Sequence, residues 1–337
     1  MNKPQVEVIT KDGGSSGEMG AAMMSLYDGV QFNVKKYRSL EMLPERAWRY
    51  IDDSLIRVAK EELSGVADLN TRPGLSVNFD GMSASLYTRE RVSEMGAANI
   101  AVSPDTVADS GRLIMDDISV PLMVTYKDFF VNTKRMAMAS RVGLPLQTAT
   151  VEEATRSVSR HLEDTLFNGT WRARGHNIYG YTTFPDRNTY TIATSWTTAD
   201  PEDILSDVIS MMELSMQANH FGPWLLYIPW QYRARLQEDY TVGATPVSTN
   251  RSIQARLKEL EGLEDIKVSR YLANDNVVLV EMSSSTVQMI NGMPMRAVQW
   301  EAPGSPNWEH KFKVLTIAVP FLMSDYEGNC GIVHGSV

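Results

Sequence analysis

The stretch from Val66 to Pro121 sets the hardest condition on any fold for this chain. It contains TRPGLSVNFDGMSASLYTRERVSEMGAANIAVSPDTVADSGRLIMDDISVP, in which short alternating runs are broken by Pro-Gly, Asp-Gly and Ser-Gly. That texture predicts a long two-stranded excursion, because no run in it is apolar enough to close a core of its own. Structureless connections beyond about 12–15 residues are uncommon inside compact domains. Such an excursion needs an outside surface, and a β-arm laid over a neighbouring copy of the chain would supply one.

Strongly periodic elements flank it. In LPERAWRYIDDSLIRVAKEELSG, Pro44 suits a first helical turn, Trp48, Ile51, Leu55, Val58 and Ala59 recur on one face, and Gly65 supplies the stop. PLMVTYKDFFVN reads as an apolar strand. A long helix is expected from Thr150, which forms a capping box with Glu153; Val151, Ala154, Val158, Leu162 and Leu166 make its buried stripe, and Asn168-Gly169 ends it. Another helix opens at Asp200-Pro-Glu-Asp, with a cap, a proline at the first position and acids against the positive dipole end. It runs through Ile204, Val208, Met211, Met212 and Ser215 to Asn219. WLLYIP is a short buried strand, and short helices are expected near 231–239 and 253–260. The C-terminal part is β-rich: NVVLVEM, TVQMINGMPMRAVQW with Asn291-Gly292 as a hairpin turn, HKFKVLTIAVPFLM, and a last strand around CGIVH. Residues 1–30 are glycine-rich with little periodicity, and read as an arm ordered by neighbours or left mobile. A start at Met1 favours an arm held by partners.

Composition works by exclusion. A net charge of −9 with a pI near 5.2 argues against a generic nucleic-acid binder. Lys35, Lys36, Arg38, Arg46, Arg49, Arg57 and Lys60 form one local basic concentration, which is either a solvated helix face or an inward surface facing packaged nucleic acid. The lone cysteine, Cys330, excludes an internal disulfide framework and fits a reducing cytoplasm. No signal-like segment and no run of about 18 apolar residues is present, which argues against a membrane partner and leaves the sequons at Asn168 and Asn250 as chance matches. The 19 methionines, with Met211, Met212 and Met216 in one helix, serve as core gap-fillers or as adaptable subunit contacts.

A search for chemistry finds no site. His161, His176, His220, His310 and His334 are scattered without ligand spacing or cysteine partners. There is no phosphate-binding Gly-Lys-Ser/Thr loop, no dinucleotide fingerprint and no Gly-x-Ser-x-Gly elbow. The acidic pairs Asp52-Asp53 and Glu152-Glu153 read as solvated helix positions, and with Asp116-Asp117 they give no convincing glycosidase dyad. No catalytic, cofactor-binding or metal residue is assigned, no cofactor is expected, and the chain is expected not to be an enzyme. One junction stays open: HLEDTLFNG runs straight into GTWRARGHNIYGYTTFP, either a phosphate or substrate loop or a structural corner between subdomains.

The order of these elements resembles the encapsulin and tailed-phage major capsid superfamily, an α+β architecture of the Hong Kong type. LPERAWRYIDDSLIRVAKEELSG looks like its N-terminal helix and ISVPLMVTYKDF like the strand returning from its extended loop. VEEATRSVSRHLEDTLFNG followed by GHNIYGY looks like the spine helix and the corner after it; VVLVEMSSSTVQMINGMPMRAVQW and FKVLTIAVP look like its closing strands. The resemblance spans roughly residues 40–337. It implies an N-terminal arm (1–40), the N-terminal helix of a peripheral domain (41–66), an extended loop (67–121), and a peripheral domain with the spine helix (122–169). An axial domain (170–285), peripheral strands (286–322) and a C-terminal return to the axial domain (323–337) would follow. The long arm, the long loop and an insertion around Thr182–Thr198 favour the phage branch over a bacterial compartment.

What the resemblance implies is assembly: a major capsid protein of the virion, forming hexamers and pentamers of an icosahedral shell around double-stranded DNA. Assembly would occur in the cytoplasm of a bacterial host. Partners would be further copies of the chain, a portal protein, scaffolding and decoration proteins, and DNA by non-specific contact. The alternative is an encapsulin-like nanocompartment enclosing an enzyme cargo. With only a short arm after Met1, no fused scaffold is expected to be cleaved. Relatives that crosslink covalently use a loop lysine, and between Lys60 and Lys127 this chain has none. Arg72, Arg89, Arg91 and Arg112 occupy the basic positions there; they are poor nucleophiles that can still pair reversibly with carboxylates of the adjacent copy, and non-covalent overlap is expected.

Overall fold

The two longest strands organise one half of the molecule. In the computed structural model, which describes residues 45–93, 113–132, 148–173, 175–242, 247–300 and 309–337, β13 (Val287–Trp300) pairs antiparallel with β14 (Glu309–Leu322). β14 pairs on its other side with β4 (Val124–Asn132), and β13 pairs in parallel with β1 (Ser76–Asn78), giving the order β1-β13-β14-β4. Two helices, α1 (Glu45–Glu62) and α3 (Thr148–Asn168), cover one face. The expected stripes meet there: Ile51 and Leu55 join Val151, Ala154 and Val158 against Phe129, Phe312 and Val314. Phe129 and Phe312 stack with centroids 5.2 Å apart. Ion pairs such as Arg57–Glu152 (2.5 Å) and Arg156–Glu62 (3.0 Å) cross the helix pair but are too solvated to hold it, so the apolar stripe does.

The second half is a five-stranded sheet, β11 (Leu263–Ser269), β8 (Trp224–Pro229), β12 (Asn276–Glu281), β15 (Ile332–Ser336) and β7 (Asn188–Thr191), in that order. Every residue of β8 is buried because both faces of this sheet are covered. Trp224, Leu226 and Ile228 face α4 (Pro201–Gln217), α5 (Tyr232–Leu236) and α6 (Ile253–Lys258), where Ile204, Val208, Met211 and Met212 lie as expected and Met216 stays at the surface. Asp200 takes the extended cap position before α4, but its side chain makes no capping bond. Leu225 and Tyr227 face the other way, into a cluster with Leu166, Phe167, Val280, Met289 and Leu322 that is common to both sheets.

Several expectations are corrected. Asn291-Gly292 is no hairpin turn: it lies inside β13 at a bulge, where the Cα of Gly81 stands 2.8 Å from where a Cβ on Gly292 would be. The glycine there admits a second backbone, a use local sequence does not separate from a turn. α3 begins at Thr148, so Thr150 sits within its first turn and no capping box forms around it. Gly65 starts α2 (Gly65–Thr71) where a stop was expected; a Cβ there would lie 2.9 Å from Leu166, so the residue is small for packing. The excursion therefore contributes a helix and β1 to the body before its ribbon starts. The helix expected at 231–239 stops at Leu236, and Asp239 begins β9 (Asp239–Val242), paired with β10 (Val247–Ser252). Thr182–Thr198, expected as an insertion, supplies β7 and the fully buried Trp196. The arm, Pro44, Lys35, Lys36 and Arg38 lie outside the described residues.

Candidate assembly surface

β2 (Leu86–Val92) and β3 (Met115–Pro121) form the expected antiparallel ribbon, with Leu86 opposite Pro121 and Val92 opposite Met115. Strand alternation gives it two unlike faces. The inward face is rooted: Tyr87, Ile118 and Val120 pack with Ile290, Val319 and Phe321, and the Tyr87 ring meets Phe321 edge-on at 5.5 Å. Arg89 donates to the Ser284 carbonyl (3.0 Å) and to Gln288 Oε1 (3.2 Å). Arg91 pairs with Asp116 (2.7 Å) and donates to the Asp325 carbonyl (3.3 Å). Arg72 pairs with Glu264 at 2.5 Å. In the single chain Arg72, Arg89 and Arg91 are engaged within their own body, and Arg112 lies outside the described residues. Away from the root the ribbon exposes Val92, Leu113, Ile114 and Met115, the last at 64%.

A rigid corner backs this surface. α3 ends at Asn168, Gly169 turns the chain at φ +56°, and the chain returns through β5 (Gly169–Ala173) and β6 (His176–Tyr179) to Gly180. Residues just past Gly180 then cap the carbonyls that the helix end leaves open. Tyr181 N–H donates to Leu166 O (3.0 Å), Thr182 N–H to Phe167 O (2.9 Å), and Thr183 Oγ1 to Asn168 O (2.8 Å). Among the described residues the junction forms a capped turn that closes the end of α3.

Between β4 and α3 runs a groove of about 400 Å³, lined by Met123, Val124, Tyr126, Val158, His161 and Val319 among others. It lies beside β4, which among the described residues pairs on one side only, with β14. A strand edge carries a row of backbone donors and acceptors that another chain can satisfy.

The family model of DUF6260, described as a family of unknown function, matches residues 37–335. The chain belongs to that family. No curated protein matches the DUF6260 chain by sequence. Among solved structures it is similar to a virus-like particle from Pyrococcus furiosus, at 14% identity and a TM-score of 0.61, covering 86% of this chain and 99% of that one. It is also similar to the capsid of Myoviridae Phage XM1 (11% identity, TM-score 0.58, 78% and 89% covered) and to the capsid of an empty GTA particle (10%, 0.56, 81% and 90%). The DUF6260 chain therefore has the fold shared by tailed-phage capsids and an encapsulin-like particle, which is the resemblance read from its sequence.

The polar groups considered as chemistry find other places in the DUF6260 fold. Asp52-Asp53 lie on α1, Glu152 pairs with Arg57, Glu153 with Arg156, and Asp116 with Arg91, so the three acidic pairs do not converge. His161 lies on α3, His176 on β6, His334 on β15 and His220 in the turn after α4, while His310 falls on β14. Among the described residues no group of three or more His, Cys, Asp or Glu could hold a metal ion, and no helix is long and apolar enough to cross a membrane. Sequence spacing missed two buried networks. Glu281 accepts from Thr286 Oγ1 (2.8 Å) and Gly222 N–H (3.1 Å) and pairs with His220; burial alone would raise its pKa, but these bonds hold it below the usual range. Asp68 on α2 pairs with Lys267 and accepts from the Tyr227 hydroxyl at 3.1 Å. Cys330 is fully buried, and burial pushes its thiol up to about 12. The native chain should leave iodoacetamide unreacted at pH 8 and take one equivalent after unfolding in urea; full labelling of native protein within minutes would contradict this burial.

Proposed function

We propose that this chain is the major capsid protein of a tailed phage, a structural and non-enzymatic subunit that self-assembles into an icosahedral shell around double-stranded DNA. The observation that carries this reading is the capsid fold together with a ribbon that roots in its own body and, away from that root, exposes Val92, Leu113, Ile114 and Met115. In this reading α3 is the spine helix, the four-stranded sheet with α1 and α3 is the peripheral domain, and the five-stranded sheet is the axial domain. Ribbons overlap neighbouring copies within hexamers and pentamers, and many weak contacts add up on a closed surface. Portal, scaffolding and decoration proteins are the expected partners in the virion, and the acidic net charge keeps contact with DNA loose.

An encapsulin-like compartment with an enzyme cargo is the second reading, favoured by the near-complete coverage of the Pyrococcus furiosus particle. Gene neighbours separate the two: portal and terminase genes against a cargo enzyme gene.

Electron microscopy of the purified chain should show closed shells. With no lysine between Lys60 and Lys127, boiled shells should run as one monomer band near 37.7 kDa. Only small oligomers at every concentration would overturn the shell, and a reductant-resistant ladder would overturn its non-covalent character.

A further inference from the structure

Among the described residues the chain passes between its two sheets three times: from α3 through the corner to β7, from β12 to β13, and from β14 to β15. The three passages are tied to one another. Met323 N–H, at the start of the last, donates to the Thr286 carbonyl in the middle one (2.9 Å). Ser324 Oγ donates to Asp186 Oδ2 in the first (2.6 Å), and Asn188 Nδ2, where β7 begins, donates to the Cys330 carbonyl (2.8 Å). The last passage is also braced internally, since Asn329 gives its N–H and its side-chain amide to the two oxygens of the Asp325 carboxylate (2.6 and 2.7 Å).

Two arginines of the ribbon end on this meeting point. Arg89 Nη1 donates to the Ser284 carbonyl and Gln288 Oε1 and lies 3.2 Å from Met323 Sδ, so it spans the middle passage and the last. Arg91 Nη1 reaches Ser324 Oγ (3.4 Å) and the Asp325 carbonyl (3.3 Å), and its guanidinium carbon stands 5.8 Å from the Tyr326 ring centroid. The other arm of the same fork, Nε and Nη2, holds Asp116 Oδ2 at 3.0 and 2.7 Å, and Asp116 lies opposite Arg91 on β3. One planar group therefore joins both strands of the ribbon to the body, a geometry that a lysine ammonium cannot fix on two sides at once. The apolar contacts of Tyr87, Ile118 and Val120 hold the ribbon's base but are non-directional. Direction comes from the arginines.

We propose that Arg89 and Arg91 are positioning residues for assembly, latching the ribbon to the meeting point of the three passages and setting its direction before any neighbour is present. The proposal rests on the shell reading and adds to it how the ribbon is aimed. A segment already held in its working direction does not have to be ordered at the moment of contact, so the latch lowers the concentration at which copies associate. Because the latch grips the segments that join the two sheets, the ribbon takes its direction from the body of its own chain.

Amide hydrogen exchange tests the latch in the full-length chain, held below its assembly concentration. Arg89→Lys with Arg91→Lys keeps both charges and loses both forks; it should speed exchange of the β2 and β3 amides at least tenfold and leave β8 and β12 unchanged. Ser324→Ala alters the body and leaves the ribbon sequence intact, and should speed the same ribbon amides at least threefold. Unchanged ribbon exchange in both variants, or an equal rise in β8 and β12, would overturn the latch whether or not shells form. Assembly tests the positioning role. By light scattering and electron microscopy, the double-lysine chain should need at least tenfold more protein than wild type to form shells. Shells at the wild-type concentration from a chain whose ribbon exchanges fast would overturn that role and leave the shell reading intact. If wild type forms no shells, the shell reading falls and the positioning role with it, while the exchange result still decides the latch.

Discussion

Gly180→Ala is expected to leave little folded protein. A Cβ at Gly180 would stand 2.4 Å from the Gly169 nitrogen, 2.6 Å from the Phe167 carbonyl carbon and 2.7 Å from that of Asn168. All three are backbone atoms, so no side chain can swing aside and the two segments must part. Overpacking a well-filled site costs about 1–3 kcal/mol. Parting also loosens the bonds that cap α3 through Tyr181, Thr182 and Thr183, each worth about 1 kcal/mol. A loss on the order of 4 kcal/mol or more follows, much of the ~5–15 kcal/mol a domain holds. Gly175→Ala is the control. Gly175 also has positive φ, at +86°, but nothing lies within 4 Å of its added Cβ, so it should cost about 1–2 kcal/mol. Urea denaturation followed by tryptophan fluorescence compares them; equal losses for the two variants would defeat the argument.

The second large effect depends on pH. Glu163 is fully buried in α3 and accepts the N–H groups of Gly65 (3.2 Å) and Val66 (3.1 Å), capping α2 across nearly a hundred residues of sequence. Burial is the main cause that raises its carboxyl from 4.5 to about 7; the backbone donors pull it down and the charge of Asp68 pushes it up. Between those two values the folded chain holds a proton that the unfolded chain has released. The stabilisation is complete below about pH 4.5 and is lost as pH rises through 7, a change of roughly 3 kcal/mol. Other carboxylates titrate in the acid range: Asp265 and Asp275 are held below their ordinary values by their hydrogen-bond partners, burial acting against them. The informative quantity is therefore the difference between wild type and Glu163→Gln. Relative to that variant, wild type should lose most of this ~3 kcal/mol between pH 5 and pH 8. A difference that stays flat across that range would show that Glu163 does not titrate there.

What could be read from the sequence is what repeats within one element. The stripe from Val151 to Leu166 and the apolar run of β8 write their burial into local spacing, and the alternation of β2 and β3 with their turn-rich surroundings gave the ribbon. What could not be read is set by partners far along the chain. Gly292 looked like a turn because the residue that requires it, Gly81, arrives from another part of the sheet. β7 is a short polar strand that exists because β15 lies beside it. Glu90 and Asp117 are unremarkable until the register places them opposite one another, and His220 and Glu281 meet across 61 positions. In each case the deciding energy is a pairing, and pairing leaves no period in a single sequence.

α3 touches both halves of the molecule. Its first turns lie in the cluster of α1 and the four-stranded sheet, and Leu162, Leu166 and Phe167 lie in the cluster common to both sheets. Over its 21 residues it spans ~30 Å, so a tilt of a few degrees at one end would move the other by more than an ångström. Close-packed clusters at both ends and a capped corner at Gly169 leave no room for that tilt. The body then behaves as a strut of fixed angle. In the proposed shell, a surface that bends more sharply at some positions than at others would take up the difference where neighbouring bodies meet, not inside them.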